Sequence, residues 1–97
     1  MWLPFYLTDT GDGTFDDCTN LELIHMWYHI TRIGATFNRL PNLSEVFVGS
    51  GDPPTLSTNQ ANNLITYGCP IYVPAGSLTY YRQATNWNTV ADQIKPM

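Results

Sequence analysis

His25 and His29 stand four residues apart, a spacing that on a helix turns two imidazoles to one side and lets them hold zinc. The residues around them read instead as a strand followed by a corner, so the two rings diverge and are expected to face solvent. Asp9, Asp12, Asp16 and Asp17 crowd four carboxylates around Gly11 and Gly13, a composition suited to calcium. The spacing fails, because a calcium loop with Gly13 at its sixth position would place Thr at its first and third ligands. These carboxylates read as solvated turn residues, with Asp16 or Asp17 at the start of a helical turn. Cys18 and Cys69 are a possible disulfide or nucleophile. No basic residue lies near either in sequence to lower a thiol pKa, so two buried, unpaired thiols are expected. Acidic residues and histidines are too few and too scattered to nominate a general acid and base. The chain is therefore read as non-enzymatic, with no cofactor and no metal.

The elements that must position these groups are set by a repeat. Thr14-Phe15 recurs as Thr36-Phe37, Asn20-Leu21 as Asn42-Leu43, and Ile24 and Met26 as Val46 and Val48, each at an offset of 22 positions. A fixed offset of this length with Leu-x-x-apolar-x-apolar spacing predicts a leucine-rich solenoid. Phe15, Cys18, Leu21, Ile24, Met26, Ile30 and Ile33 are the inward positions of the first copy. Leu21–Met26 reads as a strand, Ile30–Ile33 as a second short one, and Gly34 as the corner after it.

The 97 residues bound a single domain. Residues 1–13 read as an N-terminal strand and turn: Trp2, Leu3, Phe5, Tyr6 and Leu7 lie one period before Ile24–Met26, and Pro4 confines them to an edge. Residues 14–48 hold the two copies, 49–69 a Gly-, Pro-, Ser- and Asn-rich loop anchored by Leu56 and Leu64, and 70–74 a final strand bounded by prolines. Residues 75–97 read as a helical cap. Ser77 starts its first helix, and Trp87, Val90, Ala91 and Ile94 form one apolar stripe of its second. The expected fold is thus a β-rich α/β solenoid, a short leucine-rich-repeat stack closed by a helical C-terminal cap.

The pattern Phe15-x-x-Cys18-Thr19-Asn20-Leu21-x-x-Ile24-x-Met26, then Ile30-Thr31-x-Ile33-Gly34-x-x-Phe37, resembles the BspA-like leucine-rich repeats of bacterial surface proteins. Thr14, Met26 and Trp27 depart from that family's Ala, Ile and Pro. Pro53-Pro54-Thr55-Leu56 and Cys69-Pro70-Ile71-Tyr72-Val73-Pro74-Ala75-Gly76-Ser77 are similar to its closing segment. The resemblance implies an extracellular or cell-surface adhesion module that binds host or matrix proteins.

Charged residues make up 12% of the chain and the net charge is −4. Four basic residues argue against nucleic acid and anionic membrane partners. No apolar run reaches the roughly 20 residues that span a bilayer, so membrane insertion is not expected. The strand residues that point away from the core carry the functional reading: Leu23 and His25 from the first copy, Glu45 and Phe47 from the second, and Tyr72 from the last strand. Side by side they form an apolar and aromatic patch, the composition of a surface for a protein partner or for neighbours in an assembly. The alternative is a structural subunit of a larger assembly, a virion or a surface appendage, whose aromatic N-terminal segment docks on a neighbour.

Overall fold

Leu23-Ile24-His25-Met26 and Glu45-Val46-Phe47-Val48 alternate between half-buried and fully buried residues. That period of two is the signature of a strand with one face on the core. In a computed structural model covering residues 1–97, the elements run β1 (Leu23–Met26), β2 (Arg32–Ile33), β3 (Glu45–Val48), β4 (Thr55–Leu56), α1 (Thr58–Tyr67), β5 (Ile71–Val73), α2 (Leu78–Gln83) and β6 (Ile94–Pro96). Tight helical turns cover Ala75–Ser77 and Trp87–Gln93.

All strand pairing is parallel. β1, β3, β5 and β6 lie in that order in one sheet, and β2 and β4 form a two-stranded second sheet. Ile24 sits beside Val46, Val46 beside Ile71, and Ile71 beside Ile94, and all four are fully buried. Ile33 and Leu56 face the same core from the second sheet, together with Phe15, Phe37, Leu40, Leu64 and Trp87. No helix is long and apolar enough to cross a membrane.

The solenoid expectation is corrected here. The chain is a small α/β domain of one four-stranded parallel sheet and its helices, with a radius of gyration of 11.9 Å. A compact chain of about 100 residues has roughly 13 Å. The 22-residue offset survives as the register of one strand pair, Leu23 to Glu45 through Met26 to Val48. It does not continue, because Val46 pairs with Ile71 and Ile71 with Ile94, at different spacings. The connections also differ in kind. β1 reaches β3 through β2 and irregular turns, whereas β3 reaches β5 through β4 and a full α-helix.

That helix replaces much of the loop expected over 49–69. Ser57 caps it, its hydroxyl accepting the Gln60 amide at 3.3 Å. Ala61 and Leu64 face the core, and Gly68 ends the helix in the left-handed conformation at φ 66°. The Asn content that suggested a loop lies on the outer side, at Asn59 and Asn62, where propensity yields to packing. Two further boundaries move. The strand over 70–74 is β5 but not the last, because the expected cap helix over 87–94 ends early and Ile94–Pro96 joins the sheet as β6. The first seven residues form a single bridge from Trp2 to His25 rather than a strand, since the chain turns at Phe5 and Tyr6 after Pro4.

The corner at Gly34 is packed against backbone. A Cβ there would lie 2.3 Å from the Gly11 carbonyl oxygen. Thr10 closes this junction, its Oγ1 accepting the Gly34 amide at 2.9 Å and lying 2.6 Å from Thr36 Oγ1 in a buried pair.

Candidate aromatic strand face

Parallel register has a consequence for side chains on the outer side of the sheet. Residues at equal depth stand in a row perpendicular to the strands, at the strand spacing of about 4.8 Å. Here the row is aromatic. His25 of β1 lies beside Phe47 of β3, Phe47 beside Tyr72 of β5, and Trp2 bridges to His25 from the other side. The rings stack along the row: Trp2 on His25 at 4.3 Å and 12°, His25 on Phe47 at 5.2 Å and 16°, and Phe47 on Tyr72 at 4.8 Å and 20°. Lys95 of β6 follows Tyr72 at the same level.

Because each ring lies nearly parallel to its neighbour across the strands, the rings stand upright on the sheet. Their faces are spent on one another and their edges meet solvent. Each offset stack contributes about 0.5–1.5 kcal/mol beyond the area it covers. The row widens at its Trp2 end. Trp27 packs on His25 at 4.3 Å and on Trp2 at 5.5 Å, and Phe5 reaches Trp27, Tyr28 and His29 at 5.1 to 6.2 Å. Trp2, Phe5, Tyr6 and Tyr28 are all more than half exposed.

The five residues singled out in the sequence all lie on the strands of this sheet and all are half-buried. His25, Phe47 and Tyr72 form the row, and Leu23 and Glu45 pair at the preceding level. Sequence reasoning omitted Trp2 and Trp27. Trp2 carried a usable signal, since its segment precedes β1 by one repeat length. Trp27 follows β1, where alternation along a strand no longer tells a side chain's direction.

His25 has its pKa lowered from the ordinary imidazole value, first because the flanking rings desolvate it and second because the amino terminus lies close by. The row is therefore uncharged at neutral pH up to Lys95. His29 packs edge-to-face with Phe5 and Tyr28 rather than meeting His25 at a shared ligand position.

The four carboxylates around Gly11 and Gly13 sit elsewhere and are engaged by arginines. Arg32 bonds Asp9 at 3.0 Å and Asp12 at 3.3 Å. The Ala35 amide donates to Asp12 at 2.8 Å, and this bond, followed by Arg32, holds the Asp12 carboxyl below its usual range. Arg39 lies 3.7 Å from both Asp16 and Asp17. Nowhere do three His, Cys, Asp or Glu side chains converge on a common point. Cys69 is buried, which pushes its thiol pKa up, while Cys18, expected in the core, is only half-buried beside it.

The chain matches no protein-family model and no curated protein.

Proposed function

We propose that the chain is a non-enzymatic interaction module that binds a protein partner through the outer face of its parallel sheet. The observation that carries this reading is the unbroken ring row Trp2–His25–Phe47–Tyr72. Aromatic side chains are the commonest interface anchors, and a row fixed by sheet register gives up little conformational freedom on binding. A protein surface suits it better than a sugar. Sugars stack on free ring faces, and His25 and Phe47 have none to offer. The resemblance to BspA-like surface proteins supports an extracellular or cell-surface setting with a host or matrix protein as partner. It is an argument by analogy.

A second reading, a structural subunit of a virion or surface appendage, draws support from the exposed aromatic group Trp2, Phe5, Tyr6 and Tyr28 at one end of the sheet. Binding to a panel of immobilised matrix and host-surface proteins separates the two. The adhesion reading predicts saturable binding by the wild-type chain that Phe47→Asp abolishes while still folding. Absence of binding across the panel, together with self-association, favours the subunit.

A further inference from the structure

The two edges of the four-stranded sheet are finished differently. At the β6 edge Pro96 has no N–H to offer, the Ile94 carbonyl already accepts from Arg82 at 2.8 Å, and the Met97 amide is turned inward to Val73 at 2.9 Å. That edge is closed to further strands by a proline and by a side chain laid over it. At the opposite edge residues 1–3 run beside β1. The Met1 amino group donates to the Leu23 carbonyl, the His25 amide to the Met1 carbonyl at 2.8 Å, and the Leu3 amide to the His25 carbonyl at 3.0 Å. The Met1 amino and carbonyl groups and the Leu3 amide are thus paired with β1. By strand alternation, the N–H and C=O of Trp2 point the other way, and neither makes a hydrogen bond.

A residue whose N–H and C=O both point off an edge is complementary to itself. A two-fold axis through that edge sets two copies antiparallel, and the two residues then exchange a pair of N–H···O bonds. The side chains agree with this. Met1–Leu7 contains no charged side chain, and its one charged group, the Met1 ammonium, donates to the Leu23 carbonyl on the β1 side, away from the two-fold axis. The desolvated His25 stands uncharged behind it. Pro4 follows Trp2 at the next outward position and lacks an N–H, which stops the pairing from extending along the edge.

We infer that the chain forms a closed two-fold dimer with a second copy of itself, edge to edge at Trp2, with the two Trp2 backbones hydrogen-bonded to each other. An axis perpendicular to the sheet keeps both outer faces on one side. The two aromatic rows then meet at Trp2 and form one continuous strip. Growth of this sheet beyond two copies is blocked, since its other edge is closed by Pro96 and Arg82. The inference uses the edge and not the binding role of the face, so either can fail without the other.

The test is sedimentation equilibrium of the full chain from micromolar to near-millimolar concentration, beside Trp2→Lys and Tyr72→Lys. Trp2→Lys sets two like charges across the two-fold axis, and Tyr72→Lys changes the far end of the same row. The wild type and Tyr72→Lys should rise to twice the 11.0 kDa chain mass and stop, whereas Trp2→Lys should stay at 11.0 kDa. Hydrogen exchange of the wild-type Trp2 amide supplies a readout that needs no variant: it should slow as concentration rises. A wild-type mass of one chain throughout, a mass that climbs past two chains, a dimer that survives Trp2→Lys, or a Trp2 amide indifferent to concentration overturns the inference.

Discussion

At the scale of single residues, the rings of the outer face are tuned by what they touch. His25 is held between Trp2 and Phe47, and desolvation lowers its pKa relative to the unfolded chain. The sign follows from linkage. Below the ordinary imidazole value of about 6.5, the unfolded state binds the proton and the folded state resists it, so stability rises with pH. The melting temperature should therefore fall as pH drops from 7.5 through 6.5 and below, and His25→Gln should flatten that slope. A wild-type melting temperature that rises on acidification would mean that the ring faces favour imidazolium more than desolvation opposes it. Trp87 presents the reverse situation in the core. It is 1% exposed, packs edge-on against Tyr81 at 5.1 Å, and donates from Nε1 to the Pro54 carbonyl at 2.8 Å. Trp87→Ala should cost about 3–5 kcal/mol in denaturant melts.

At the scale of elements, α1 is fastened by a buried polar side chain rather than by apolar packing alone. Gln60 is 4% exposed, accepts the Phe37 amide at 2.7 Å, and donates to Asn38 Oδ1 at 3.0 Å. Tyr67, the last residue of the helix, adds a hydroxyl bond to the Phe37 carbonyl. Gln60→Leu keeps the volume but leaves the Phe37 N–H buried without a partner. It should destabilise by about 1–3 kcal/mol, whereas exposed Asn59→Leu on the same helix should be nearly neutral. Equal losses at both positions in urea titrations would contradict this account of the helix. Such long-range anchoring explains why α1 was hard to read. Its cap pair Ser57 and Gln60 and its terminal Gly68 were visible, but Asn59, Asn62 and Asn63 masked them, and only the partner at Phe37 shows why Gln60 belongs inside. The strands were easier. Alternation in Glu45–Val48 separates Val46 and Val48 from Phe47 without further information, and the offset to Leu23–Met26 is the register itself. β6 was not legible, since Ile94 fits both an apolar helix stripe and a strand, and the choice depends on the free edge of β5.

At the scale of the whole molecule, the four-stranded sheet turns an aliphatic row, Ile24, Val46, Ile71 and Ile94, inward and an aromatic row outward. Adjacent residues on β3 lie on opposite sides of the sheet: Val46 is fully buried between Ile24 and Ile71, and Phe47 stacks between His25 and Tyr72. Val46→Asp buries an unpaired charge and should abolish cooperative unfolding. Phe47→Asp loses two ring stacks, about 1–3 kcal/mol, and should remain folded. The repeat overreached at this scale. It conveyed which residues lie side by side in one strand pair, but the shape of the molecule depends on connections that the repeat does not share. The binding role of the exterior is the central claim, and it is tested most directly by comparing the binding isotherm of folded Phe47→Asp with that of the wild type on the same matrix and host-surface panel. The account predicts saturable wild-type binding to at least one protein and at least a tenfold loss in the variant, about 1.4 kcal/mol or more. Superimposable isotherms, or a wild type that binds nothing on the panel, would contradict it.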